Sequence, residues 1–293
     1  MNQRIQGLRE ESVTTPATLS IERALITTRF YKENNGKYSI PMMRALNFME
    51  ICEKKAIYIG KDELIVGERG EKPKAVSTFP ELTCHTVEDL RVLNTRSQQR
   101  YIISEEDIET YRTEVIPYWQ GRTQRERIFN FVPEEWSAAY EAGLFTEFME
   151  QRAPGHTCLD GKIYEKGMLN FKREINEEIA QLDYFNDPEA TDKEEQLKAM
   201  AVSCDAIIRL AERYAEKAED MATEEKEPKR IDELLQIAEV CRRVPAHKPR
   251  DFWEAIQMYW FVHLGVIIEL NGWDAFNPGH FDQHLAPFYK NDL

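Results

Sequence analysis

Residues 255–268 form the segment that most limits what this chain can fold into. They are apolar at almost every position, so a helix over them would be apolar on nearly all of its faces. A helix of that kind belongs inside a large core. Little sequence follows it in these 293 residues. We therefore expect residues 1–293 to be the N-terminal portion of one larger α/β domain that continues beyond Leu293.

The charge balance limits the classes of partner. The chain has 52 acidic and 38 basic side chains, a net charge of −14, which disfavours nucleic acid and anionic membrane surfaces as partners. No stretch approaches the ~20 apolar residues of a membrane span, and the first residues lack the apolar core of a signal peptide. We therefore expect a cytoplasmic protein. Its five widely spaced cysteines, without a Cys-x-x-Cys pair, indicate neither a disulfide framework nor a zinc site.

Apolar spacing and capping residues predict a mostly helical chain. Ser20 is a candidate N-cap within a helical region over residues 1–35, and Pro41 is suited to the first turn of the next helix. The predicted helices cover residues 1–35, 42–54, 104–117, 193–221 and 231–241, with a further one starting at Pro133. Two short β-like runs, residues 57–59 and 63–67, predict a small hairpin or edge pair, and residues 70–84 a loop.

A histidine after a helix break is the first candidate for chemistry. Phe148 belongs to a predicted helix that Pro154 and the following glycine interrupt, so His156 lies on the emerging loop. A histidine held in this way suits general acid–base catalysis or the binding of a substrate hydroxyl. The alternative is a surface or capping histidine.

Asp274 is a carboxylate between aromatic residues. Buried there, it would need a partner or a raised pKa, which makes a functional carboxylate plausible. The alternative is a turn or N-cap aspartate before the Asn-Pro-Gly run. His263, within the apolar segment, is interpreted as a core histidine.

Other motifs give weaker indications. His280 and His284 are spaced i, i+4, but they lack the glutamate of H-E-x-x-H, so we favour a polar helix start and predict no metal site. Cys84 and His85 are adjacent but need not face each other, which makes a poor nucleophile pair. No phosphate-binding glycine loop and no G-x-S-x-G elbow is present.

Four stretches together resemble glycyl radical enzymes, the pyruvate formate-lyase-like superfamily. They are residues 40–46, 62–68, 147–157 and 257–289, and the resemblance covers nearly the whole chain. The third stretch and residues 269–284 resemble the members that dehydrate trans-4-hydroxy-L-proline. The resemblance implies a mostly α chain within an α/β fold: an outer helical layer and the start of a ten-stranded α/β barrel.

The resemblance also implies a reaction. A glycyl radical generates a cysteine thiyl radical, which takes a hydrogen atom from the carbon beside the substrate nitrogen; water then leaves and 1-pyrroline-5-carboxylate forms. Phe148 matches a residue that packs on the substrate ring. His156 and Asp274 match polar residues near the departing hydroxyl, where a hydrogen-bonding acid stabilises the leaving group.

The radical residues of the family have no match in this sequence. No cysteine is followed two places later by glutamate, and none of the 13 glycines is followed by tyrosine. We expect both sites in further C-terminal sequence, so that this chain alone is inactive. No cofactor is expected to bind here. The resemblance implies a homodimer and a separate iron–sulfur, S-adenosylmethionine-dependent activating enzyme that installs the radical.

Other functions remain open. Within the family, a glycerol or propanediol dehydratase would use a similar histidine, whereas pyruvate formate-lyase itself does not call for this histidine–aspartate pair. From another class, the chain could be a catalytically inactive helical protein or an interaction module.

Overall fold

Helices make up most of the chain, as the sequence predicts. The computed structural model describes residues 2–144, 159–270 and 279–293. The helices are α1 Gln3–Thr14, α2 Glu22–Asn34, α3 Ile40–Lys54, α4 Val87–Thr95, α5 Glu105–Thr110, α6 Ile116–Trp119, α7 Gln124–Phe129, α8 Glu134–Glu141, α9 Lys162–Glu165, α10 Met168–Ala180, α11 Ala190–Glu224, α12 Pro228–Arg243, α13 Phe252–Leu270 and α14 Phe281–Asn291. A π-helical turn, Tyr111–Val115, joins α5 to α6, and two short strands are β1 Thr18–Ser20 and β2 Ala75–Ser77.

The long helix α11 lies at the centre of the largest core. It packs against α3, α10, α12 and α13. Alanines make up much of its buried face, which allows close approach of the neighbouring helices because alanine adds little width. The predicted helices over residues 193–221 and 231–241 are thereby confirmed as parts of α11 and α12, each a few residues longer at both ends.

Helix α13 contains the apolar segment and confirms it as a core helix. Phe261 and Leu264 are fully buried, and a Cβ on Gly265 would lie only 2.8 Å from the Ile207 Cδ1 atom of α11. Glycine therefore allows α13 and α11 to touch at this point. Of the helices in the described ranges, none combines the length and apolar character needed to cross a membrane.

The prediction of one helix over residues 1–35 was wrong. The chain leaves helix α1 before Pro16, since a residue that precedes proline disfavours helical angles. It then forms β1, which pairs in parallel with β2 in the register Thr18 to Ala75. Ser20 is not an N-cap; its hydroxyl lies 2.6 Å from the Glu71 carboxylate, and Ile21 precedes α2 instead.

Two further boundaries differ from the predictions. Residues 70–84 contain β2 rather than loop alone. The helical region that begins after the N-cap Ser104 continues past Pro117 to Trp119. The π-helical turn widens the helix where proline lacks an N–H donor, and Ile116 donates to the Tyr111 carbonyl five residues earlier. Pro133 precedes α8, as predicted.

The predicted hairpin over residues 57–59 and 63–67 was also wrong. No strand occurs there; helix side chains bind the backbone of residues 60–68 instead. Arg230 donates to the Gly60 and Glu63 carbonyls, each at 2.9 Å. Trp253 donates to the Leu64 carbonyl at 3.0 Å.

The remaining bonds hold the second half of this segment. Gln257 forms a pair of bonds with Val66, donating to its carbonyl at 2.7 Å and accepting from its N–H at 2.8 Å. Trp260 donates to the Gly67 carbonyl at 2.8 Å, and the Glu68 N–H donates to the Tyr214 hydroxyl at 2.9 Å. A β-like sequence thus has helix side chains, rather than a second strand, as its partners.

Candidate active site

A large apolar groove lies between helices α3, α10, α11 and α13. Its volume is about 980 Å³. Its walls are formed largely by aliphatic and aromatic side chains, among them Ile40, Phe48, Phe171, Val262 and Val266. A mostly apolar cavity with a few polar groups is the usual form of a small-molecule site.

Described residues next to both segments that carry the predicted site residues line the groove. Leu159 and Leu270 both line it. Leu159 follows residues 145–158, and Leu270 precedes residues 271–278. Phe148, His156 and Asp274 lie in those two segments, outside the described residues. The structure therefore brings the two flanking positions to one cavity, and the roles of the three side chains stay predictions.

An ion pair provides polar character at the groove. The Arg44 guanidinium on α3 lies 2.8 Å from the Glu269 carboxylate near the end of α13. Both residues line the cavity. About half of the Arg44 side chain is exposed, so this pair contributes modestly to stability. Its charged groups can still orient a polar or zwitterionic ligand.

Arg23 holds the C-terminal end of α13 in place. Its side chain is 4% exposed and donates to the Ile268 carbonyl at 2.5 Å and to the Glu269 carbonyl at 3.2 Å. The same guanidinium pairs with Glu81 at 2.6 Å and lies over the Phe79 ring. The last carbonyls of a helix have no partner within it, so a buried cation there fixes the helix end. Sequence reasoning missed Arg23, because nothing in α2 indicates a partner 245 positions away.

Cys204 is the thiol in the groove wall. Its side chain is half-buried at the cavity. Burial raises the pKa of this thiol to about 11, so it is protonated at neutral pH and is a weak nucleophile. Cys241, by contrast, is buried.

Two other candidates agree with their structural interpretations. His263 is half-buried, its Nδ1 atom lies 3.1 Å from the Tyr259 hydroxyl, and burial lowers its pKa. Cys84 contacts the His85 carbonyl oxygen and the Tyr111 hydroxyl, each at 3.8 Å. Burial raises the pKa of Cys84 to about 11, so it is no activated nucleophile.

His280 and His284 lie at the start of α14, as predicted. His280 is the residue before the helix, and His284 Nε2 lies 2.9 Å from the carboxylate of Asp160. One ligand atom from each of these three residues lies within 4.8 Å of the other two. The spacing of the histidines was visible in the sequence, but the approach of Asp160 was not.

Comparison with known proteins identifies the family. A profile described as pyruvate formate lyase-like matches residues 1–293. The chain belongs to the pyruvate formate-lyase-like family. It is 50% identical over 291 residues to trans-4-hydroxy-L-proline dehydratase from Clostridioides difficile, an alignment that covers 99% of this chain and 37% of that protein.

Solved structures of the family have the same fold. The crystal structure of the Clostridioides difficile dehydratase with trans-4-hydroxy-L-proline bound matches with a TM-score of 0.96, covering 100% of this chain and 37% of that one. The glycerol-bound B12-independent glycerol dehydratase from Clostridium butyricum matches with a TM-score of 0.93 at 31% identity, covering 99% of this chain and 37% of that one. The chain thus has the fold of part of a glycyl radical enzyme and spans little more than a third of its relatives' length.

Proposed function

We propose that this chain is part of a glycyl radical dehydratase that removes water from trans-4-hydroxy-L-proline to give 1-pyrroline-5-carboxylate. The observation that carries the proposal is 50% identity, over 99% of the chain, to a dehydratase of that substrate. Because the alignment covers 37% of the relative, we assign the thiyl cysteine and the radical glycine to sequence outside these 293 residues.

Phe148, His156 and Asp274 would supply the substrate contacts. The described residues that line the groove include carboxylates but no histidine. A histidine that acts as the general acid would therefore have to belong to a segment outside the described residues. His156 would donate a hydrogen bond to the departing hydroxyl, with Asp274 in the same polar network. Phe148 would pack on the pyrrolidine ring. The apolar walls favour this chemistry because a substrate radical requires exclusion of water.

Partners follow from the same proposal. A radical S-adenosylmethionine enzyme with an iron–sulfur cluster would install the glycyl radical, and the complete enzyme would be a homodimer. We place it in the cytoplasm. The four described cysteines carry free thiols, which agrees with a reducing compartment.

The second candidate is a glycerol or propanediol dehydratase. Its support is the close structural match to glycerol dehydratase, TM-score 0.93. The lower identity of 31% makes it the weaker candidate. A catalytically inactive interaction protein is the candidate from another class.

The test uses the full-length protein that contains this chain, activated without oxygen by its radical S-adenosylmethionine partner. We expect consumption of hydroxyproline with formation of 1-pyrroline-5-carboxylate. Turnover of glycerol or propanediol alone would refute the substrate assignment. Failure to form any glycyl radical signal with a competent activating enzyme would favour the inactive protein.

Variants separate chemistry from folding. His156→Gln and Asp274→Asn should reduce kcat by about a hundredfold or more while the electron paramagnetic resonance signal of the glycyl radical persists. His247→Gln, at an exposed histidine, is the matched control and should leave turnover unchanged. Loss of the radical signal together with turnover in the site variants would indicate a structural role.

A further inference from the structure

Asp160, His280 and His284 form a set of ligands that the proposed dehydration does not use. Among the residues that the structure describes, they are the one group of three His, Cys, Asp or Glu side chains whose ligand atoms converge, all within 4.8 Å. Ligand atoms of a tetrahedral site with bonds of about 2.0–2.1 Å stand about 3.3 Å apart. The cluster therefore needs little rearrangement to close around an ion.

The residue types suit a transition metal. Two imidazoles with one carboxylate are a known ligand set for divalent zinc and iron, and such sites keep an open position for water. Asp160 and His280 are exposed, so solvent can reach that position. The donors come from two separate parts of the chain, the connection before α9 and residues 280–284 at the start of α14.

The surroundings hold His284 in one orientation. Its ring stacks on Tyr164, with centroids 5.4 Å apart and an interplanar angle of 23°. On another side lies Gly161, where an added Cβ would stand 3.1 Å from His284 Cε1 and 3.4 Å from Nδ1. A larger residue at 161 would press on the ring. The absence of a side chain at Gly161 thus leaves room for the imidazole beside the carboxylate.

The hydrogen bond between Asp160 and His284 determines which ring nitrogen of His284 carries the proton before a metal ion binds. A carboxylate accepts only, so the 2.9 Å contact requires the proton on Nε2. A metal bound through Nε2 takes the lone pair of that nitrogen, and the proton of the neutral ring moves to Nδ1. Asp160 then binds the same ion instead of the N–H group.

We propose that Asp160, His280 and His284 bind a divalent transition-metal ion, with Zn²⁺ as the reference ion. The ion would tie α14 to the connection that precedes α9. This site shares only the connection around Leu159 with the groove, and its occupancy is measured without the dehydratase assay. Its failure and the failure of the proposed function are therefore distinguishable.

The experiment measures Zn²⁺ binding to the full-length, chelator-treated protein by competition with a chromophoric chelator. We compare wild type with His280→Gln, His284→Gln and Asp160→Asn, and use His247→Gln as the matched control. Each site variant should lose one equivalent of Zn²⁺ or weaken it by about tenfold or more. The control should bind as wild type does. Co²⁺ should give a visible d–d spectrum in wild type that His280→Gln removes.

Two variants keep the result interpretable. The His280 ring is exposed, and the bonds that start α14 use its backbone carbonyl, so His280→Gln preserves the helix. Gly161→Ala keeps all three ligands but crowds His284, and should weaken Zn²⁺ binding. Equal stoichiometry and affinity in wild type and in all three ligand variants would overturn the proposal. The Asp160–His284 contact would then be a hydrogen bond that only joins two segments.

Discussion

Replacement of Gln257 by methionine tests whether side chains substitute for a strand in holding residues 60–68. Methionine has a similar length and volume, so the substitution leaves no large cavity. It removes both bonds to Val66, which is fully buried, and leaves a buried N–H and a buried carbonyl without that partner. Each such group costs about 1–3 kcal/mol.

We therefore expect the free energy of local opening of residues 60–68 to fall by about 3 kcal/mol. This change raises the equilibrium constant for opening by about a hundredfold. Hydrogen exchange with mass spectrometry on the full-length protein, followed in peptides that span residues 60–68, measures this change. Gln257→Glu keeps an acceptor for the Val66 N–H, but at neutral pH it buries a carboxylate against the Val66 carbonyl, so it should accelerate exchange at least as much as methionine does. Gln283→Met, at an exposed position of α14, is the control.

The reasoning would be refuted by unchanged exchange of residues 60–68 in Gln257→Met. It would also fail if the control accelerated exchange in the same peptides by the same factor, because the effect would then be global. A faster exchange confined to this segment in both Gln257 variants is the expected result.

Three further predictions concern buried contacts. Gly67→Ala should lower thermal stability by about 2 kcal/mol or more, because φ is +143° and the new Cβ would lie 2.6 Å from Trp260 Nε1; an unchanged melting temperature would contradict this. Arg23→Met should cost about 3–5 kcal/mol and speed hydrogen exchange in the last turn of α13, since it breaks a buried pair. Burial lowers the pKa of Lys55 from 10.5 to about 8, so the unfolded chain binds more protons between these values. Wild type should therefore gain stability relative to Lys55→Met as pH rises from 8 to 10.5, and a flat difference in melting temperature would refute this.

The sequence predicted the helices whose pattern is long and repeated. In α11 the apolar residues recur at helical spacing over many turns, so a few local exceptions do not hide the periodicity. The prediction of a hairpin within residues 57–67 failed for the opposite reason. Their composition is β-like, but their hydrogen-bond partners are side chains of Tyr214, Arg230, Trp253, Gln257 and Trp260, and no local pattern encodes such distant partners.

The candidate site divides in the same way. Residue type and local context singled out His156 and Asp274, and the described residues that flank their segments, Leu159 and Leu270, line one groove. The i, i+4 spacing placed His280 and His284 together at the start of α14, whereas Asp160 approaches from 124 positions earlier in the sequence. Contacts of that range depend on the packing of whole helices, which spacing alone does not reveal.

The attachment of residues 60–68 has a consequence for the order of folding. Its bonds join residues that are 146 to 193 positions apart in the chain. Such contacts close long loops and become favourable only after α11, α12 and α13 have come together. We therefore expect this segment to order after the transition state for folding. Substitutions in it should accelerate unfolding and leave the folding rate nearly unchanged, so these bonds govern how long the native state persists.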